Sequence, residues 1–155
     1  MDNLYDNESL KIMKIADKSS SMSLNRLEQI MAFALEGKYK KIGIAHCITF
    51  SREAQIIKKY LSQKFEVYTV DCKYGRVTKK DVFGENSSRV LCNPAGQAKY
   101  LNDKNTDLNI SIGLCVGHDM IFNKKSIAPV TCLYSKDFTN NNDMDQAISE
   151  INRRL

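Results

Sequence analysis

Apolar positions along this chain switch repeatedly between two periods. Leu24, Leu27, Ile30, Met31, Ala34 and Leu35 recur at helical spacing behind Ser23, a helix-capping residue type, and stop at Gly37, which predicts an amphipathic helix. The following run, Lys41-Ile42-Gly43-Ile44-Ala45-His46-Cys47, is short and almost wholly apolar, as in a strand buried on both faces. Ser51 to Gln63 returns to helical spacing through Ala54, Ile56, Ile57, Tyr60 and Leu61, and Phe65 to Cys72 reads as a second strand. Strand, helix and strand in that order form a βαβ unit with parallel strands.

The alternation continues. Arg89-Val90-Leu91-Cys92 predicts a short third strand, and Asn93-Pro94 opens a helix running to about Lys104, because Asn accepts first-turn N–H groups and Pro lacks a donor that would go unused there. Leu108 to Leu114 predicts a fourth strand, Asp119 to about Lys125 a short helix, and Ala128 to Ser135 a fifth strand. Asp143, with Gln146 three residues on, starts a final helix over Asp145 to Leu155. Two segments stand apart. Residues 1–22 form an N-terminal extension with a short helix over about Asp6 to Ala16, set off by Ser19-Ser20-Ser21. Residues 73–87 carry Gly75, Gly84 and several charges without a period, which predicts a long mobile excursion and a candidate lid. The expected fold is one three-layer α/β domain of about five mostly parallel strands with helices on both faces, Rossmann-like or flavodoxin-like.

Length and composition fit that expectation: 155 residues with 43% hydrophobic content suffice for one domain with its own core. The N-terminus lacks a basic start followed by an apolar stretch, and no run approaches about 20 apolar residues, so a cytoplasmic protein without membrane association is expected. The net charge of +5 comes from dispersed pairs such as Lys58-Lys59 and Lys124-Lys125, not from a basic stripe interleaved with aromatics. Nucleic acid is therefore not an expected partner, whereas a small anionic ligand suits the charge. Five cysteines in a reducing compartment point to free thiols, metal ligands or core residues.

Four of those cysteines, Cys47, Cys72, Cys92 and Cys115, end four successive apolar runs at spacings of 25, 20 and 23 residues. If the runs are parallel strands, the thiols share the carboxyl edge of the sheet, where ligands of open α/β sheets bind. Four neighbouring strand ends span roughly 14 Å, too wide for one zinc ion whose sulfurs lie about 2.3 Å away. Zinc would take a subset around Cys115 and His118, and an iron–sulfur cluster would suit Cys47, Cys72, Cys92 and Cys115 together.

Gly113-Leu114-Cys115-Val116-Gly117-His118-Asp119 concentrates reactive groups at a strand-to-helix turn, where Gly117 permits close approach of a ligand. A second chemistry is open to it: Cys115 as nucleophile, His118 as base, Asp119 orienting the imidazole, and Cys92 as resolving or supporting thiol. Asn93 and Gly96 stand at a helix start whose N–H groups suit an anion, and Lys136 and Asp137 follow the fifth strand, at the same edge, as candidates to bind a substrate or orient a ligand. A third possibility is a small-ligand or interaction module with packing cysteines only. His46 reads as a packing histidine, Cys132 as a core residue, and Asn102, Thr106, Asp107 and Asn109 as turn formers.

From Cys92 onward, the motifs Cys92-Asn93-Pro94, Thr106-Asp107-Leu108-Asn109, Gly113 to Asp119, Ala128-Pro129-Val130-Thr131 and Lys136-Asp137, with Lys41 to Cys47 before them, resemble an uncharacterised family labelled metal-binding, domain of unknown function 1847. The resemblance spans about Leu24 to Asp137 and implies metal binding without a known reaction. Two departures stand out. Members often carry a cysteine-rich N-terminal segment, whereas residues 1–46 here hold no cysteine. They also tend to follow Lys-Asp with Gly-His-Asn-Pro, where this chain has Phe138-Thr139-Asn140-Asn141.

Overall fold

A computed structural model describes residues 4–154. Two helices lead the chain, α1 over Asn7–Ser19 and α2 over Arg26–Glu36. Asp6 caps α1 by accepting the Ser9 N–H, and Asn25, not Ser23, caps α2 in a reciprocal capping box with Glu28. The βαβ unit follows as β1 (Lys41–His46), α3 (Ser51–Leu61) and β2 (Glu66–Asp71). Then come α4 (Lys79–Phe83), α5 (Pro94–Asp103), β3 (Leu108–Ile112), α6 (His118–Lys125), β4 (Val130–Tyr134) and α7 (Met144–Asn152). The Asn93-Pro94 start of α5 and the Asp143 cap of α7 both form as expected.

The sheet has four strands, all parallel, in the order β2-β1-β3-β4. The expected third strand, Arg89 to Cys92, does not form, which leaves four strands in place of five. Arg89–Cys92 pairs with the preceding excursion: Val90 bridges Thr78 antiparallel, Lys79 N–H donates to the Arg89 carbonyl and Leu91 N–H to the Val77 carbonyl. The run is thus paired with its own neighbour in sequence, and β2 is left as an edge of the sheet. Residues 73–87 hold a 3-10 turn at Tyr74–Arg76 as well as α4, and those bonds tie the excursion to the segment after it.

Two apolar clusters sandwich the sheet. Ile30 and Ala34 of α2 and Ala54 and Leu61 of α3 meet Ile42, Ile44, Ile110 and Ile112 on one face. On the other, Ala98 and Leu101 of α5 and Phe122 of α6 meet Ala45 and Val70. Removing a large side chain such as Leu or Phe from water contributes about 1.5–3 kcal/mol each, so these two clusters carry the domain. Central β3 is buried throughout, while edge strand β4 leaves Cys132 and Tyr134 exposed. The expected core position of Cys132 is thereby corrected: an edge strand has no neighbour to cover it, and its sulfur lies 3.8 Å from the Ser135 hydroxyl.

The polar residues at the start of β3 do more than turn the chain. Asp107 accepts the N–H groups of Lys40 and Lys41 at 2.7 and 2.8 Å, tying β3 to β1. Asn109 is fully buried, taking the Thr106 hydroxyl on its carbonyl oxygen and donating to Ser126. Its side chain occupies the space beside Gly43, where a Cβ would stand 2.1 Å from Asn109 Oδ1. Glycine in the middle of β1 is thus the condition for Asn109 to be buried there.

Candidate functional site: thiols around Lys136 at the carboxyl edge

β1 is followed in sequence by β2 on one side of it, and β3 lies on its other side. The crossover helix α3 packs on one face of the sheet and α5 on the other. The order therefore reverses between β1 and β3, and the crevice outside their carboxyl ends is where open α/β sheets bind ligands. Cys47 leaves β1 at that point, its N–H donating to the Ile112 carbonyl of β3 at 3.0 Å. Cys115 lies just past β3, and Cys72 follows β2. Cys92 reaches the same edge without a strand beneath it, because the next residue, Asn93, donates its N–H to the Cys72 carbonyl at 2.7 Å.

Lys136 joins two of the thiols. Its ammonium lies 2.7 Å from Cys115 Sγ and 3.6 Å from Cys47 Sγ. An aromatic stack holds the lysine: Nζ sits 5.4 Å from the Phe138 ring, which packs on Phe50, which in turn meets Tyr134 edge-on at 5.0 Å. Phe50 fits there only because residue 113 is glycine. At Gly113 the backbone has φ +59°, and a Cβ would stand 2.1 Å from the Phe50 ring. The sequence signal for this arrangement was the glycine pair of the Gly113–Asp119 turn; Phe50 and Phe138 carried none.

The electrostatics follow from the contacts. Burial would push the Cys47 thiol up, yet the Thr49 hydroxyl at 3.2 Å, the Thr49 backbone, Lys136 and Cys72 together hold it below its ordinary value. Burial pushes Cys72 up to about 12, and its neighbours Cys92 and Cys47 add to this against the Ile48 N–H that its sulfur accepts at 3.4 Å. For Lys136, burial favours the neutral form, but hydrogen bonding to Cys115 and proximity to Cys47 outweigh it and raise its pKa. The edge thus sets a firmly cationic lysine beside Cys47, whose thiol is held below its ordinary value, and behind them Cys72, whose thiol keeps its proton.

The other candidates divide. His118 begins α6, with its backbone N–H on the Cys115 carbonyl at 2.9 Å, and no hydrogen bond among the described residues joins its imidazole to Cys115 or Asp119. Asp119 accepts the Met120 N–H at 2.7 Å, within its own helix. Asn93 caps α5 by accepting the Gly96 N–H at 2.8 Å, so that donor is already used, and Gly117 is the residue before α6. Asp137 braces its own loop by accepting from the side chain and N–H of Asn140, whose hydrogen bonds also lower its pKa. His46 is buried, with Nδ1 3.0 Å from the Cys47 carbonyl. Gln97 is a contributor not anticipated: fully buried, it donates to the carbonyls of His46 and Val70 at 3.1 and 3.0 Å, clamping the ends of β1 and β2 that carry Cys47 and Cys72.

Among the described residues, no group of three or more His, Cys, Asp or Glu side chains is arranged to hold a metal ion. The thiols that meet at the edge do so around an ammonium, which is a partner for thiolate anions and not a ligand. Beside it, a cleft of about 680 Å³ is walled by Leu114 and Val116, the neighbours of Cys115, together with Asp119, Tyr134 and Lys136. That is in the range of small-molecule sites.

Fold and site together define a parallel α/β protein with a lysine-centred thiol cluster at its topological switch point. The chain belongs to a family described as protein of unknown function, DUF1847, whose model matches residues 1–133. It is 46% identical over 138 residues to an uncharacterised protein of Methanocaldococcus jannaschii, an alignment covering 84% of this chain and 71% of the relative. No solved structure matches. No helix among the described residues is long and apolar enough to cross a membrane.

Proposed function

We propose that this protein is a thiol-dependent one, in which Cys115 attacks a soft electrophile held in the cleft between α6 and β4. The observation that carries this reading is the 2.7 Å contact between the Lys136 ammonium and Cys115 Sγ. A cation at that distance is placed to pair with the charge of a thiolate, the nucleophilic form of cysteine, and Cys115 is partly exposed, as an attacking thiol must be. Lys136 takes the activating role that the sequence suggested for His118. Zinc or an iron–sulfur cluster on Cys47, Cys72, Cys92 and Cys115 would require Lys136 to leave its two sulfurs, since thiolate, not an ammonium ion pair, is the ligand.

The test is site-resolved alkylation by iodoacetamide across pH, on protein purified anaerobically without a metal-affinity tag, with elemental analysis of the same sample. Cys132, exposed on edge strand β4, serves as the internal reference.

 Cys115 is expected to react faster than Cys132 at neutral pH. Equal or slower reaction, or near-stoichiometric metal that is lost in Cys→Ser variants, would overturn the reading.

A further inference from the structure

One ammonium contacts two sulfurs from neighbouring strand ends, and only one of the two is open. Cys115 is partly exposed, whereas Cys47 is 6% exposed, with the Thr49 hydroxyl donating to its sulfur. The strands fix this pairing: His46 is in register with Ile112, and the Cys47 N–H is bonded to the Ile112 carbonyl. Cys72, one strand further over, has its sulfur on the Ile48 N–H. It has no contact with Lys136 or Cys115 among the described hydrogen bonds.

We infer that Cys115 and Cys47 are the two halves of a dithiol–disulfide couple whose substrate is a disulfide, with Cys115 attacking and Cys47 resolving. This rests on the thiolate reading of Cys115 above and adds the substrate class and the second thiol. In the first step the Cys115 thiolate attacks one sulfur of R–S–S–R, forming the Cys115–S–S–R mixed disulfide and releasing RS⁻. Cys47 then passes its proton to that RS⁻, giving RSH, and attacks Cys115 Sγ. The S–S bond of the mixed disulfide breaks, the Cys47–Cys115 disulfide forms, and a second RS⁻ leaves. The two protein thiols lose two electrons and the substrate disulfide gains them, with one negative charge on each side.

Lys136 gives the sequence its order. While Cys115 is a thiolate, the ammonium is shared with it at 2.7 Å; once Cys115 is capped and neutral, Cys47 is the sulfur left beside the cation. The lysine therefore stabilises first one thiolate and then the other without a change of place. Closure of the protein disulfide leaves the lysine without an anionic sulfur partner.

The test uses the reduced full chain, anaerobic, with glutathione disulfide as the probe and peptide mapping by mass spectrometry. Wild type is expected to release two glutathione thiols per chain and to carry a Cys47–Cys115 linkage. Cys47→Ser is expected to stop at a glutathione adduct on Cys115, releasing one. A glutathione adduct that persists on Cys115 in wild type, or a linkage of Cys47 to Cys72, overturns the couple while leaving Cys115 a nucleophile. Failure of Cys115 to take up either glutathione or iodoacetamide overturns the underlying thiolate reading as well. The wild-type map decides the matter even if the serine variant does not fold.

Discussion

Lys136 Nζ approaches Cys115 Sγ to 2.7 Å across 21 residues of chain, and the same nitrogen reaches Cys47, 89 residues away, at 3.6 Å. The cation at the switch point of the sheet is thus delivered by the loop after edge strand β4, while both thiols come from the central strands.

Replacing Lys136 by Met keeps the length of the side chain and removes the charge. A hydrogen bond to a charged group contributes roughly 1.5–3 kcal/mol, so losing the Lys136–Cys115 contact is expected to lower the reactivity of Cys115 about 10- to 100-fold. Alkylation of Cys115 at neutral pH should slow by that order, with the rate at Cys132 unchanged. An unchanged rate at Cys115 would remove Lys136 from the mechanism.

Alkaline pH should weaken the fold through Cys72. Its pKa rises from 9.0 to about 12 on folding, chiefly by burial, so the unfolded chain gives up this proton first. Unfolding then releases a proton between those values, and stability falls as pH rises from 9 towards 12. Cys47 acts in the opposite sense: its lowered pKa contributes stability above 9.0 that is lost as pH falls through its folded value. Urea melts of wild type and Cys72→Ala across this range should show a shallower alkaline decline in the variant.

Gly113→Ala tests the aromatic support of the lysine. Its Cβ would collide with Phe50 at 2.1 Å, and φ is +59°. The left-handed conformation costs about 1–2 kcal/mol and overpacking about 1–3 kcal/mol more. The midpoint of a denaturant melt should fall accordingly, and Cys115 alkylation should slow in whatever fraction remains folded, because Phe50, Phe138 and Lys136 move together.

Gln97→Met should destabilise through the strand ends. It leaves the buried carbonyls of His46 and Val70 without the amide that now serves both. At about 1–3 kcal/mol for an unsatisfied buried group, partly offset because the substitution also removes the unpartnered buried Gln97 Oε1, a loss of about 1–3 kcal/mol in an unfolding titration is expected. A neutral effect would show that the carbonyls find other partners.

The local chemistry of the chain was sufficient to specify most of its elements. Asn93 with Pro94, Asp143 and the apolar periods of α2, α3, β1, β2 and β3 act between residues a few positions apart, and each element formed close to its expected place. The carboxyl-edge location of Cys47, Cys72 and Cys115 was legible for the same reason, because it follows from where an apolar run ends in a parallel strand. Tertiary structure decided the rest. Arg89–Cys92 looked like a strand, but it pairs with Val77–Lys79 and not with the sheet, and Cys132 looked buried until β4 proved to be an edge. Above all, periodicity sees neither strand order nor the path of a loop. The meeting of Lys136 with Cys115 and Cys47 depends on β3 lying between β1 and β4, and no pattern of neighbours along the chain encodes that distance.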